Sequence, residues 1–138
     1  MVTFASDYAF GTANEAPTLP RVEEYLKTKL IHRGGKSVFD YDNGKNVYAD
    51  LKTRRITHNQ WPTALIGANK VHMASLNPKT DFWFFYNYTD GLFAIKYEKE
   101  KFAKYECKKY KRGDREDYHN RPAETYFIPY EDLIRIAV

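Results

Sequence analysis

The stretch from Ser37 to Arg55 constrains the fold more than any other part of the chain, because it reads as a β-hairpin. Its first arm is rich in β-branched and aromatic residues, and apolar residues return in the second arm. Asn43-Gly44, between the arms, is the strongest short signal for a hairpin turn. We therefore predict two antiparallel strands within SVFDYDNGKNVYADLKTRR.

Three ionisable residues of this hairpin, Asp40, Asp50 and Lys52, stand in an order that suggests chemistry. Two carboxylates on adjacent strands can hold a hard divalent cation such as Mg²⁺. A lysine two residues after the second carboxylate projects from the same face of its strand, because side chains alternate with period two. A metal ion, a water molecule and an ammonium group would then meet at one point, as metal-assisted hydrolysis of a phosphodiester requires.

The loop length decides whether the three groups share a face. A two-residue turn would point Asp40 away from Asp50 and Lys52, since directly opposed residues lie on the same face. A three-residue loop over Asp42 to Gly44, with its last residue in the left-handed conformation, moves the register by one residue. Asp40 then opposes Asn46 and joins Asp50 and Lys52. We predict the three-residue loop.

The hairpin resembles the PD-(D/E)xK nuclease superfamily. The resemblance rests on Asp40, on Asp50-Leu51-Lys52 as the (D/E)xK element and on the order of the surrounding elements, and it covers about Pro20 to Ile136. Phe39 stands where the family often has proline, and an aspartate stands where glutamate is commoner, but the motif tolerates both. The resemblance implies an α/β fold of restriction-endonuclease type, with a mixed central sheet of about five strands flanked by helices.

The resemblance also implies a metal-dependent nuclease. Asp40 and Asp50 would hold Mg²⁺ or Mn²⁺ with the Leu51 carbonyl, and Lys52 would orient the attacking water or stabilise charge on the transition state. In many members a glutamate of the first helix reaches the metal, and two residues here, Glu23 and Glu24, are candidates. Their alternative role is to complement the dipole of that helix.

Size and composition set broad limits. The chain has 138 residues, so we expect one domain over 1–138, with residues 1–18 as an N-terminal arm. The formal net charge of +4 leans toward an anionic partner. The single cysteine fits a reducing compartment, and no apolar run is long enough for a membrane span or forms a secretory signal. We expect an intracellular protein of the cytoplasm or nucleus, in a compact format that would suit a virus or phage.

Basic and amide side chains flank the hairpin where a phosphate could bind. A Gly-rich basic loop precedes the hairpin, two arginines follow it, and a predicted helix over Pro62 to Ala74 comes next. Each group has a structural alternative: a helix C-cap at Gly34, an exposed strand end, or solvated side chains. The candidates are Lys36, Arg54, Arg55, Gln60 and Lys70.

The segment from Lys99 to Arg115 is strongly basic and is interleaved with tyrosines. We predict a strand with a lysine face, which fits contact with a nucleic-acid backbone through Lys104 and Lys108. The alternative is an edge strand that lysines protect from aggregation. A non-catalytic nucleic-acid-binding module is therefore the rival function, and an interaction domain that kept the fold but lost activity is a third. DNA is favoured over RNA, and junction resolution would require a homodimer with two sites.

The remaining elements follow from apolar patterns. The aromatic run Asp81 to Tyr88 predicts a central strand buried on both faces. A return strand, a first helix, a short last strand and a closing helix are predicted over Leu92 to Tyr97, Thr18 to Arg33, Tyr126 to Ile128 and Pro129 to Ile136.

Overall fold

A computed structural model describes residues 17–34, 37–111 and 123–136 of the chain. Over these residues the protein is α/β, with few helices and a mixed sheet of many strands. The strands are β1 (Ile31–His32), β2 (Tyr41–Asp42), β3 (Val47–Thr53), β4 (Thr63–Gly67), β5 (Asp81–Tyr88), β6 (Gly91–Lys96), β7 (Glu106–Tyr110), β8 (Ala123–Pro129) and β9 (Ile134–Arg135). The helices are α1 (17–26), α2 (Ala68–Ser75) and α3 (Lys99–Phe102), and Tyr130–Asp132 form a 3₁₀ turn.

The main sheet has six strands in the order β1-β2-β3-β5-β6-β9. β3 and β5 run parallel and the other neighbours run antiparallel. A parallel pair needs a long crossover, which β4 and α2 supply here. The predicted sheet of about five strands has six strands in the structure. The prediction did not include the second, antiparallel sheet, whose strand order is β4-β8-β7.

Side chains of the main sheet separate into two cores, one on each face. α1 covers one face, where Val22 packs with Ala49, Leu51 and Phe85. α2 and the second sheet cover the other face, where Ile66 and others pack on Phe84 and Tyr86. The aromatic run therefore forms the buried central strand that its composition predicts, and the predicted return strand is confirmed as β6.

The predicted helix over Pro62 to Ala74 is wrong in its first half. Thr63–Gly67 form β4, which pairs residue by residue with β8, and the helix begins only at Ala68. The apolar pair Leu65-Ile66 suits a strand as well as a helix, and long-range pairing with β8 decides the outcome. Gly67 is extended, with φ −62° and ψ 138°, and ends the strand.

Three other elements differ from their predictions. α1 ends at residue 26, before Lys27 with its left-handed φ of 56°, and does not continue to Arg33. The predicted closing helix is a 3₁₀ turn followed by β9, because Leu133 is extended and Ile136 donates a backbone hydrogen bond to Leu92. The predicted basic strand begins with α3 and becomes a strand only at Glu106. Of the predicted N-terminal arm, residues 1–16 lie outside the described residues.

Candidate active site

Asp50 lies at the centre of β3 and points to the face that α2 covers. Its side chain is 1% exposed, and its Oδ1 accepts a hydrogen bond of 3.1 Å from the Asp40 amide. Lys52 and Lys70 bring their Nζ atoms to 3.6 and 2.7 Å from the other oxygen, Oδ2. One buried carboxylate oxygen is thus contacted by two ammonium groups.

Three different elements supply this cluster. Lys52 follows Asp50 by two residues, so strand alternation places both side chains on one face. Lys70 comes from the first turn of α2, and its Nζ also donates a 2.6 Å hydrogen bond to the Val38 carbonyl. The segment just before β2 provides the Asp40 amide. We refer to Asp40, Asp50, Lys52 and Lys70 as the carboxylate–lysine cluster.

The charges of the cluster shift the pKa values of its members. Burial raises the pKa of Asp50, but the positive charges of Lys52 and Lys70 lower it by more than burial raises it. The net pKa of Asp50 therefore lies below its ordinary value, and the carboxyl is ionised at neutral pH. The Asp50 charge raises the pKa of Lys52, but burial and the positive charges of Lys70 and Arg54 outweigh it, and the net shift is downward. Lys52 therefore releases its proton more easily than an ordinary lysine.

The hairpin register differs from the prediction. Tyr41 pairs with Ala49 and Asp42 with Tyr48, and β2 begins at Tyr41, so Asp40 lies just outside the paired strand. The loop has three residues, but they are Gly44 to Asn46 and not Asp42 to Gly44. The register therefore moves by four residues, an even number, so residues of the two strands keep the face relationship that the predicted register gave them. Asp40, just before β2, reaches Asp50 through its backbone amide.

Two side chains explain where the loop falls. Asn43 Oδ1 accepts hydrogen bonds of 2.9, 2.9 and 3.0 Å from the three following amides, of Lys45, Asn46 and Val47. Asp42 stays in the strand because Arg33 binds its two oxygens through Nε and Nη2, both at 2.8 Å. Gly44 takes the predicted left-handed conformation, with φ 77°, and its amide donates a 2.8 Å hydrogen bond to the Asp42 carboxylate.

Two cavities adjoin the cluster. A cavity of ≈ 10 Å³ lies between Asp50, Lys70 and Tyr86, with room for about one water molecule. A larger cleft of ≈ 440 Å³ is lined by Val38 and Phe39 among others, and the Lys70 ammonium contacts both of these residues. The four residues of the cluster do not line this larger cleft, and Lys70 is linked to it through Val38 and Phe39.

The residues present fit a Mg²⁺-type ion that takes only one or two ligands from protein side chains. Asp50 Oδ2 is a buried oxygen to which none of the described residues donates a well-aligned hydrogen bond. Residues 17–34, 37–111 and 123–136 contain no group of three or more His, Cys, Asp or Glu side chains placed to hold a metal. Mg²⁺ is commonly held by one or two carboxylates with waters and substrate phosphates, which Asp40 and Asp50 can supply.

The glutamates of α1 are not part of this cluster. α1 packs through Val22 on the face of the sheet opposite to Asp50. Glu23 accepts a 2.7 Å hydrogen bond from the Leu30 amide and lies 4.0 Å from Lys29, so it stabilises the turn after α1. Glu24 is exposed on the same helix. The structure therefore does not bring the predicted third carboxylate to Asp50.

The predicted phosphate contacts are scattered. Arg54, Arg55 and Gln60 are exposed in the segment after β3, at the end of the strand that carries Lys52. Lys70 points into the cluster instead of toward solvent. The other three candidates lie elsewhere: Lys104 is exposed after α3, Lys108 is on β7 near Glu106 and the Phe127 ring, and Lys36 is outside the described residues.

Sequence reasoning missed the direct contact between Lys70 and Asp50. No sequence signal was available, because the predicted helix began at Pro62 and only the structure places Lys70 in the first turn of α2. It also missed the ion pair of His58 with Asp90, in which the Nδ1 to Oδ2 distance is 2.6 Å. No sequence spacing connects these two residues, and the pair holds the segment after β3 against the β5–β6 turn.

Comparisons with known proteins add no relative. Neither a family model, nor a curated protein, nor a solved structure matches the chain. Within the part of the chain that the structure describes, no helix has the length and apolar character needed to cross a membrane.

Proposed function

We propose that the protein is a metal-dependent nuclease that hydrolyses phosphodiester bonds, with the carboxylate–lysine cluster as its active site. The observation that carries the proposal is the position of Asp50, a buried ionised carboxylate 3.6 Å from the Lys52 ammonium with the Asp40 segment hydrogen-bonded to it. Burying a charge costs free energy, so clusters of this kind concentrate at functional sites.

Each residue has a distinct role in this proposal. Asp40 and Asp50 would hold Mg²⁺ or Mn²⁺ together with the Leu51 carbonyl, and the ion would supply charge stabilisation and a more acidic bound water. Lys52, a third exposed, would face the substrate phosphate and stabilise the negative charge that builds on it. Its lowered pKa would also make it a better proton donor than an ordinary lysine.

We extend the proposal to the restriction-endonuclease-like fold. The order of elements supports it: α1 precedes three antiparallel strands, β1 to β3, and a crossover then leads to β5, which runs parallel to β3. The (D/E)xK element lies on β3, beside the parallel neighbour. The crossover differs from a simple helix, because it contains β4 before α2.

DNA is the proposed substrate. Arg54 and Arg55 follow the (D/E)xK strand directly and are exposed, and in this proposal they would contact phosphates of the bound strand. The net charge of +4 favours a polyanion in general.

A non-catalytic nucleic-acid-binding module is the second candidate. β7 favours it, because the strand lies at the edge of the second sheet, every residue in it is exposed, and it carries Lys108 and Lys109. The Lys108 ammonium sits 5.0 Å above the Phe127 ring, so a basic and aromatic surface exists away from Asp50. Such a surface would bind nucleic acid without any metal.

The test is a cleavage assay with Mg²⁺ and, separately, Mn²⁺. Single-stranded, duplex, nicked and four-way-junction DNA and an RNA hairpin are incubated with the wild-type protein and with Asp50→Asn, and binding is measured in parallel in EDTA. The proposal expects metal-dependent cutting that disappears in the variant while binding persists. Absence of cutting on every substrate, with equal binding by both proteins, would favour the binding module.

A further inference from the structure

Lys70 is held more tightly than a solvent-facing lysine. Its Nζ lies 2.7 Å from Asp50 Oδ2, 2.6 Å from the Val38 carbonyl oxygen and 5.5 Å from the centre of the Phe39 ring. The side chain is only 16% exposed. A carboxylate, a carbonyl and an aromatic face thus surround one ammonium group, a set of neighbours that selects a cation.

The position of Lys70 is electrostatically unfavourable with respect to its own helix. It lies in the first turn of α2, whose N-terminal end already carries positive partial charge. Lys52 already places an ammonium 3.6 Å from the same Asp50 oxygen, so one positive charge is available without Lys70. Lys70 is the closer of the two ammonium groups to Asp50 Oδ2, and it lies where an ion bound to that oxygen would lie.

We propose that Lys70 is an internal cation that occupies the Asp50 carboxylate in the metal-free protein and must move away when a divalent ion binds. Lys70 therefore lowers the affinity of the site for Mg²⁺ and Mn²⁺. It also donates a hydrogen bond to the Val38 carbonyl, so its movement breaks one contact of the segment that carries Asp40. This inference rests on the proposed function, because it assumes that the metal binds at Asp50.

The effect is large enough to measure. A single positive charge a few ångströms from a doubly charged ion opposes binding even in a strongly screened environment. Neutralising Lys70 should therefore increase divalent affinity about tenfold or more. The same substitution removes a charge partner from Asp50, so the metal-free protein should melt at a lower temperature. Metal should then restore more stability to the variant than it adds to the wild type.

The experiment is a thermal-melting titration of the full chain with Mg²⁺ and Mn²⁺. Four proteins are compared: wild type, Lys70→Met, Lys70→Gln and Lys96→Met. Lys96 is the matched control because its Nζ pairs with Asp81 at 3.3 Å on the surface. Lys70→Gln keeps a donor for the Val38 carbonyl without the charge, and it serves if the Met variant does not fold. The apparent metal dissociation constant should fall about tenfold in both Lys70 variants and stay unchanged in Lys96→Met.

Two outcomes overturn the inference, and they are distinguishable. If metal stabilises the wild type and the Lys70 variants need the same or higher metal concentrations, Lys70 is a structural residue and the proposed metal site survives. If metal stabilises none of the four proteins, both the inference and the metal-dependent function fail.

Discussion

Two carboxylates of one hairpin, Asp42 and Asp50, have opposite surroundings. Asp42 meets a single cation, Arg33, through two aligned hydrogen bonds of 2.8 Å, and it accepts a third from the Gly44 amide. Asp50 meets two ammonium groups, and one of its oxygens receives no well-aligned hydrogen bond from the described residues. Both are buried, at 7% and 1% exposure. Burial alone therefore does not separate them.

The difference is one of charge balance and geometry. The Arg33–Asp42 pair is neutral and both oxygens of its carboxylate accept aligned hydrogen bonds, which suits a residue that fixes the position of a loop. Asp50 is contacted by two ammonium groups, and its Oδ2 receives no well-aligned hydrogen bond from the described residues, which suits a group that can exchange one cation for another. We therefore assign structure to Asp42 and chemistry to Asp50.

The largest expected effect comes from Lys52→Ala. Removing a group that stabilises transition-state charge should lower the cleavage rate by about 10²–10³-fold. DNA affinity should stay nearly intact, because one ammonium among many basic groups supplies only part of the phosphate contact. Single-turnover rates and fluorescence anisotropy measure the two quantities, with Lys96→Ala as the control. A loss of affinity as large as the loss of rate would remove Lys52 from the chemistry.

Asp42→Ala should show the reverse pattern. The variant loses both arginine contacts and the Gly44 hydrogen bond, and the latter alone contributes about 1 kcal/mol. The melting temperature should fall while the cleavage rate per folded molecule stays at the wild-type level. Circular dichroism and the cleavage assay test this directly. A rate loss comparable to that of Lys52→Ala would abolish the distinction between the two carboxylates.

Acid should erase the stability difference between wild type and Asp42→Asn. The hydrogen bonds from Arg33 lower the pKa of Asp42 below its ordinary value of 3.8. A carboxyl whose pKa is lowered in the folded state stabilises the protein above the unfolded-state pKa, and this contribution is lost as pH falls through the folded-state pKa. The two melting temperatures should therefore converge in strong acid. A gap that stays constant from neutral to acid pH would show that the Asp42 charge is unimportant.

The smallest effect is expected at Asp90, a third acidic residue, whose neighbour is the His58 imidazole. Its Oδ2 lies 2.6 Å from His58 Nδ1, and both side chains are partly exposed, at 30% and 23%. Asp90→Asn should cost about 0.5–1 kcal/mol of unfolding free energy, as exposed pairs usually do. Chemical denaturation measures the change, and the cleavage rate should not change. A strong loss of activity would instead place the segment after β3 in the active site.

Much of the main sheet could be predicted from local pattern. The run from Asp81 to Tyr88 is apolar on both faces and too short for a helix, so its strand assignment needed no knowledge of neighbours. Leu65-Ile66 and Leu133-Ile134 lie in segments whose local signals suited helices, but pairing with β8 and β6 made strands. Those pairings join residues far apart in sequence, and periodicity does not report them.

The candidate site was predictable where alternation alone decides it. Asp50 and Lys52 share a face in any register. Asp40 lies just before β2 and is joined to them by the hydrogen bond from its amide to Asp50, a contact that alternation does not report. Lys70 was not predictable as a neighbour of Asp50, because its position depends on how the crossover packs on the sheet. The opposite placement of Glu23 depends on packing in the same way.

The most direct test of the central claim is to count bound Mn²⁺ by electron paramagnetic resonance on three proteins: wild type, Asp50→Asn and Asp42→Asn. Asp42→Asn is the matched control, since it makes the same isosteric change in the same hairpin. We predict that the wild type and Asp42→Asn bind one Mn²⁺ ion at the Asp50 site and that Asp50→Asn loses it. Equal binding by all three proteins, or no binding by the wild type, would contradict the assignment of Asp50 as a metal ligand.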